Sequence, residues 1–385
     1  MFLAQTVKRN RELIETSFQM HQSGLIEPDS YVIDVDTFLE NASLMLKEAK
    51  RMGIRLFFML KQIGRNPYLA GKLVELGFEG AVAVDYREAR IMMKHRIPIA
   101  NIGHLVQIPD SQIEEFVAYH PKMITVYSEE KISRIHQAAK KMGFIQDVIL
   151  RVYNDSDMIY SGQTAGFHLG ILGALTARIK IMYPCVNIAG VTSFPCFLFD
   201  EAADDLMATE NMNTVKQAVK ILGRNGINCS IIDTPSGTCI HALNKIKEQG
   251  GNCGEPGHGL SGTTPMHAVK MMPEIPCVTY VSEVSHNFKG QAYCYGGGYY
   301  RRSHLMKALV GISLEKSDEL GVIPPSDESI DYYIGLEKEC AVGDTVVMAF
   351  RFQIFVTRSD VVLVEGLKEK KPYIAGIYNS MGAEK

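Results

Sequence analysis

Residues 56–84 read LFFMLKQIGRNPYLAGKLVELGFEGAVAV. Leu56 to Leu60 form an apolar run too short for a core helix and with no polar face. Pro67 to Leu76 then carries a helical period, and Gly80 to Val84 is a second short apolar run. Strands that are apolar on both faces are covered on both sides, as parallel strands flanked by helices are. The unit is strand, helix, strand.

The unit recurs along the chain. Further runs are ANIGHLV (100–106), MITVY (123–127), VILRVY (148–153), IAGVTSF (188–194), SIIDTP (230–235) and GNCGEPG (251–257). Helix-patterned stretches separate them, at Tyr86–Lys94, Glu129–Met142 and Asn213–Gly223. Eight strands alternating with helices over about 200 residues predict an α/β fold, a (β/α)₈ TIM barrel. An open doubly wound sheet would usually carry a Gly-rich dinucleotide turn after its first strand, and none follows LFFMLK.

Upstream, Glu12 to Gln22 reads as a helix closed by Ser23-Gly24, within an N-terminal helical segment of residues 1–30. YVIDVD (31–36) is an alternating strand, and Thr37 to Arg51 a helix with Thr37 as N-cap and Glu40 completing a capping box. The barrel domain is assigned to 31–270, with strand 31–36 either opening it or joining the domain that follows. After Pro273 the texture changes to strands without helical period, CVTYVSEV, QAYCY, TVVMAF, FQIFVT, VVLVEG and PYIAGIY. Residues 271–385 are read as a C-terminal all-β domain.

Composition narrows the class. Hydrophobic residues make up 46% and charged residues 22% of the 385, the balance of a folded globular chain. Forty basic against 43 acidic residues leave a net charge of −3, with no surplus to hold a nucleic-acid backbone. Apolar stretches fall far short of the roughly 20 residues of a membrane helix. The N-terminus turns charged too early for a secretory signal, so a cytoplasmic protein is expected. Eight cysteines stand singly with no Cys-x-x-Cys pair, which reads as reduced thiols with no metal site.

In this barrel type the chemistry lies at the C-terminal ends of the strands. Lys61 follows the first strand directly, where burial favours the neutral, nucleophilic amine; pairing with a carboxylate is the other reading. After strand seven comes Thr234-Pro235-Ser236-Gly237-Thr238, and after strand eight Gly257-His258-Gly259-Leu260-Ser261-Gly262-Thr263-Thr264. Both loops are rich in glycine and hydroxyls, and they occupy the usual phosphate site of the fold. A phosphorylated ligand facing an amine leaves a sugar-phosphate aldolase or an enzyme carrying pyridoxal phosphate. Glu255, in Glu255-Pro256-Gly257, suits a protonated ring nitrogen of such a cofactor, or else a partner for Lys61.

These segments resemble the alanine racemase-type (fold type III) pyridoxal phosphate enzymes, and within them the YhfX branch. The resemblance is carried by YVIDVDTFLEN (31–41), FFMLKQIGRNP (57–67), GAVAVDYREAR (80–90), IGHLVQIP (102–109), GVTSFPC (190–196), EPGHGLSGTTP (255–265), YCYGGGYYRR (293–302) and FRFQIFVTRSDVVLVEG (350–366). It implies that Lys61 holds pyridoxal 5'-phosphate as a Schiff base, with Arg65, Ser236, Gly257 and His258 near the phosphate. It implies a homodimer in which the β domain of one subunit completes the barrel mouth of the other. Tyr295 to Tyr299 is similar to the family's Gly-Tyr-Gly-Asp-Gly-Tyr segment.

The chain also departs from alanine racemases. Ser193 stands where they have a ring-packing histidine, and Thr164 or Tyr153 falls near their ring-oxygen arginine. His286, in VSHNF, is the nearest match to their tyrosine base. Glu-Pro-Gly replaces Arg-Pro-Gly, the pattern of the ornithine and diaminopimelate decarboxylase branch. Arg351 and Arg358 are candidates for the substrate carboxylate. The expected function is an amino-acid racemase or epimerase working by α-proton abstraction, with a decarboxylase on the same cofactor as the alternative. A non-catalytic carrier of pyridoxal phosphate and a cofactor-free aldolase are the remaining readings. The expected partner is a small amino-acid substrate, with no nucleic acid or membrane.

Overall fold

The structure, a computed structural model, describes residues 2–385. It divides into two compact units, one of residues 45–60 and 70–257, the other of residues up to 44, 61–69 and 258–385. Strand β1 (Ser30–Asp34) belongs to the second. The first unit holds β2 (Arg55–Leu56), β3 (Ala81–Ala83), β4 (Ile99–Ile102), β5 (Met123–Val126), β6 (Gln146–Tyr153), β7 (Phe167–His168) and β8 (Val186–Thr192). It continues with β9 (Phe197–Asp200), β10 (Asp205–Ala208), β11 (Ile231–Asp233) and β12 (Cys253–Gly254).

Eight of these strands form one parallel sheet in the order β2-β12-β11-β8-β6-β5-β4-β3. Phe58 closes it on Ala81, and the Val82 amide donates to the Phe58 carbonyl at 2.8 Å. The result is a (β/α)₈ barrel. Phe57, Val82, Ala100, Met123, Ile149, Ala189, Ile231 and Cys253 pack together as a buried core, which accounts for the uniformly apolar strands. The short hairpin β9–β10 is an addition after the sixth barrel strand that no alternation announced.

Helix ends follow local chemistry. The helix Glu129–Met142 starts where the Ser128 side chain accepts from the Lys131 amide and stops at Gly143 in the left-handed region, φ 78°. The helix expected from Thr37 instead runs Val35–Met52, and Asp34 rather than Thr37 caps it. Asp34 accepts from the Thr37 amide at 3.0 Å, the Thr37 hydroxyl at 2.6 Å and the Asn10 side-chain amide at 2.8 Å. A carboxylate buried at the end of β1 accepts more donors than a hydroxyl can, so Thr37 becomes a donor.

The second unit continues with β13 (Val278–Phe288), β14 (Gln291–Tyr295), β15 (Lys307–Gly311), β16 (Ser317–Ile323), β17 (Tyr333–Leu336), β18 (Thr345–Met348), β19 (Asp360–Glu365) and β20 (Tyr373–Asn379). Strands β13, β14, β17, β16, β15 and β18 close on themselves as an antiparallel ring, because β14 pairs with both β17 and β13. Strand β1 extends the sheet, antiparallel to β13 and parallel to β19. Helix Arg11–Gln22 lays Leu13 and Met20 on Val32, Val281, Val362 and Val364. The N-terminal helical segment also holds a preceding helix, Phe2–Arg9, for which the pattern predicted no separate bounds. All eight cysteines are free thiols. Among the described residues no helix is long and apolar enough to cross a membrane.

One ion cluster ties the barrel strands at their N-terminal ends. Glu79 accepts from Arg55 at 2.8 and 2.5 Å and from Lys122 at 2.8 Å. The Arg55 hydrogen bonds, seconded by Lys122, pull its carboxyl down to about 2. A depressed carboxyl stabilises the fold above its unfolded pKa and ceases to do so as pH falls toward the folded value. Glu79→Gln is expected to cost about 1 kcal/mol at neutral pH, discounted for solvent screening, and to shrink that loss between about pH 4.5 and 2. Urea unfolding against pH measures both; an unchanged acid limb would show that Glu79 contributes nothing to the acid response.

Candidate active site

The first barrel strand leads through Leu60 into a short 3₁₀ turn, Lys61–Ile63, so the lysine follows the strand end and belongs to the second unit. There the imidazole of His258 is half-buried. Burial, followed by the neighbouring charges of Arg351 and Lys61, pushes its pKa well below the ordinary value, so it is neutral. Its Nδ1 meets the Thr263 hydroxyl at 2.9 Å and its Nε2 the Gln353 amide at 3.3 Å. Thr263 in turn meets Ser261 at 2.7 Å. Lys61, His258 and Arg351 are thus brought into one neighbourhood.

Arg65 is buried with its backbone in the left-handed region, φ 55°. Its guanidinium packs on the Phe355 ring at 5.1 Å and reaches Met381 Sδ at 3.6 Å. Arg358 lies elsewhere. It reaches Asp331 Oδ1 at 3.3 Å and borders a cavity of about 430 Å³ with Asp29, Tyr295 and Gly297. His286 is exposed on β13, stacked on Tyr293 with centroids 5.1 Å apart and edge-on to Tyr333 at 4.9 Å.

The barrel unit carries the other candidates. Ser236 has φ 110° and Gly237 φ 66°, a turn that a non-glycine residue rarely adopts. The Ser236 hydroxyl donates to the Phe197 carbonyl and accepts from the Phe197 amide at 3.3 Å, tying the loop after β11 to β9. Thr238 accepts from the Glu255 amide at 3.2 Å. Glu255 follows β12, whose Gly254 pairs with Leu56 of β2. It is therefore held on the strand beside the one that runs on to Lys61, and it is 5% exposed.

Around Glu255 lie residues that the sequence reading passed over. His104, Asp233 and Glu255 each place a ligand-type atom within 4.8 Å of the other two, and all are buried. The Asn101 amide approaches Glu255 at 3.5 Å, His104 Nε2 approaches it at 3.6 Å, and Thr125 donates to Asn101 at 2.8 Å. His104 sits edge-on to Phe194, 5.9 Å between centroids, next to Ser193, whose hydroxyl receives the Asn211 amide at 3.1 Å. Arg151, on β6, is 3% exposed and donates to the Tyr127 hydroxyl at 3.1 Å and the Gln163 carbonyl at 2.9 Å. An arginine is thus present two residues before Tyr153, where only Thr164 or Tyr153 was considered. Both Arg151 and Asp233 were visible as charges inside apolar runs, VILRVY and SIIDTP.

The donor set fits pyridoxal phosphate. Its aldehyde needs an amine, its ring nitrogen a buried acceptor, and its phosphate a strained, hydroxyl-bearing loop. Lys61, Glu255 and the turn at Ser236-Gly237 supply these kinds of group.

The family description "Alanine racemase, N-terminal domain" matches residues 33–265, and "YhfX-like, C-terminal domain" matches residues 279–374. The chain is 44% identical over 383 residues, 99% of each chain, to the "Uncharacterized protein YhfX" of Escherichia coli (strain K12). D-threonine aldolase from Filomicrobium marinum superposes with a TM-score of 0.63 at 15% identity, over 92% of this chain and 95% of that one. Alanine racemase of Clostridium difficile 630, in complex with cycloserine, gives 0.61 at 17% identity, over 91% and 98%.

Proposed function

Because the chain belongs to the alanine racemase family, whose members generally bind pyridoxal phosphate, we propose that it is a pyridoxal phosphate-dependent racemase or epimerase of an amino acid, working as a cytoplasmic homodimer. The observation that carries the reading is Glu255, buried on the strand beside the one leading to Lys61. When bound, the cofactor supplies an electron sink for charge developing at the substrate α-carbon. The rest falls to this chain's residues. Lys61 Nζ would hold the cofactor aldehyde, and its amine would move the α-proton on one face of the substrate. Glu255 holds the ring nitrogen in its protonated form, since a neighbouring negative charge raises that nitrogen's pKa. Ser236, Gly257, His258 and Arg65 hold the phosphate end, with His258 as a neutral donor or acceptor. Arg351 binds the substrate carboxylate, with Arg358 as the second candidate. His286, exposed on β13, serves the partner subunit as the acid or base for the opposite face.

Decarboxylation is the second reading, and Glu-Pro-Gly favours it through its likeness to the decarboxylase branch. Both reactions pass through charge at the same carbon. A panel of L- and D-amino acids in deuterated water, analysed for α-hydrogen exchange, chirality and carbon dioxide, separates them. Exchange with inversion supports the racemase, whereas carbon dioxide release without inversion overturns it. Sharing of the site is checked by mixing Lys61→Ala with His286→Ala subunits. Half of the randomly exchanged dimers are hybrids with one intact site each, so about a quarter of wild-type activity returns. No recovery after verified exchange removes His286 from the site.

A further inference from the structure

Glu27, Asp29, Tyr295, Gly297, Tyr332 and Arg358, all of the second unit, line one cavity of about 430 Å³. Pockets of this size take small organic molecules. Asp29 is fixed in it by its own unit. Its backbone lies in the left-handed region, φ 66°, and its carbonyl accepts from the Asp360 amide at 3.1 Å. Its Oδ1 accepts from the Tyr280 hydroxyl at 2.9 Å and from the Ser359 hydroxyl. Among the described residues nothing bonds to its Oδ2. A Cβ at position 297 would stand 1.9 Å from that oxygen, so only glycine there leaves the carboxylate its place. Arg358 supplies the opposite charge. Its amide donates to the Gly297 carbonyl at 3.3 Å, and its guanidinium pairs with Asp331 at 3.3 Å and not with Asp29. Glu27 is exposed and without an ion pair among the described residues. Tyr295 and Tyr332 are 36% and 64% exposed.

A carboxylate and a guanidinium that share a cavity without meeting forgo their own attraction and stay available to a ligand of reversed charge. Two carboxylates and one guanidinium complement two ammonium groups and one carboxylate. Aromatic rings open beside the acids receive a cation over their faces. We propose that the cavity binds a free amino acid carrying a second amino group. Asp29 Oδ2 takes one ammonium, Arg358 the carboxylate and Glu27 the other ammonium, with the rings of Tyr295 and Tyr332 along the carbon chain. The pairing with Asp331 leaves Arg358 further donors, since a guanidinium carries five N–H groups. Burial pushes the Asp29 carboxyl up, opposed by the Ser359 and Tyr280 hydroxyls and by the charge of Arg358; a bound ammonium adds to that opposition. The site stands on one unit and needs no cofactor, so it goes beyond the racemase reading. With Arg358 engaged here, Arg351 is left as the carboxylate residue of that reading.

Isothermal titration calorimetry of the whole protein with L-lysine, L-norleucine and L-glutamate tests the site; norleucine keeps lysine's carbon chain without its terminal amine. Lysine is expected to bind, norleucine at least about tenfold more weakly and glutamate not at all. Lys61→Ala protein should retain lysine binding with the same preference, because Lys61 is not among the residues lining the cavity. Asp29→Asn keeps an acceptor for the two hydroxyls and removes the charge, and it should weaken lysine by about tenfold or more. Glu27→Gln, at an exposed position, should weaken lysine by about threefold and leave norleucine as it was; it decides if Asp29→Asn does not fold. Equal affinities of lysine and norleucine, no heat with lysine at millimolar concentration, or lysine binding unchanged in either variant overturns the proposal. Lysine binding that is lost in Lys61→Ala overturns it as well, since the ligand then sits at that lysine. The racemase reading is scored separately, by α-hydrogen exchange. Protein that binds lysine through Asp29 and Glu27 but exchanges no α-hydrogen keeps the site and loses the enzyme.

Discussion

Lys61→Ala protein is expected to lose all borohydride-fixable pyridoxal phosphate and to turn over at least about a thousandfold more slowly than the wild type. The argument is one of position. The residues from Leu56 to Leu60 are buried and run on from β2, and the lysine is the first residue beyond them, in a 3₁₀ turn. Position 61 is therefore set by the barrel backbone, and truncation to alanine leaves that backbone as it is. Loss of the amine removes both the covalent hold on the cofactor and the base on one face of the substrate. Peptide mass spectrometry after borohydride reduction measures the first and α-hydrogen exchange the second. A variant that still yields a reduced cofactor adduct places the attachment at another amine.

Gly190→Ala should destabilise the protein by about 3 kcal/mol or more. A Cβ on Gly190 would lie 1.7 Å from the Ile231 carbonyl oxygen and 2.8 Å from the Ile231 Cβ. These two residues are register partners of β8 and β11, so the methyl group cannot be absorbed by a side-chain rotation. The strands must part, and β11 carries Asp233 and the loop to Ser236. Gly223→Ala is the control, because nothing lies within 4 Å of its added carbon and alanine is the better helix former. Circular dichroism through a urea titration compares the two. Equal midpoints for wild type and Gly190→Ala would show that the barrel yields there at little cost.

Different parts of this molecule were legible to different degrees. The barrel strands were readable because burial on both faces leaves an apolar run with no polar alternation to confuse it. Pro67–Leu76, Tyr86–Lys94 and Glu129–Met142 have in the structure the bounds read from their period. Lys61 and Glu255 could be named as candidates because strand ends in this fold are where chemistry sits. The surroundings of Glu255 could not. His104, Asp233 and Glu255 come from the loop after β4, from β11 and from just beyond β12, 151 residues apart at the extremes, and only closure of the ring at Phe58 and Ala81 joins them. Asp34 displaced Thr37 as helix cap for a similar reason, since the Asn10 amide that helps hold it comes from another element. Short-range patterns report how an element forms, whereas partners supplied from far along the chain decide which side chain does the work.

The place of β1 has a consequence for the newly made chain. Its neighbours are far downstream: Ser30 pairs with Val281 and with Asp360, separations of 251 and 330 residues. At a synthesis rate of about 5–20 residues per second, β1 leaves the ribosome roughly 15–65 seconds before β19 exists. The segment 61–69, with its lysine, belongs to the same late-completed unit. The barrel unit ends at Gly257, so most of its strands can pair while the N-terminal helices and β1 still wait. Vectorial synthesis thus leaves an apolar strand and its covering helix without their sheet neighbours for most of translation, and the lysine-bearing unit is completed only after the barrel strands have been made.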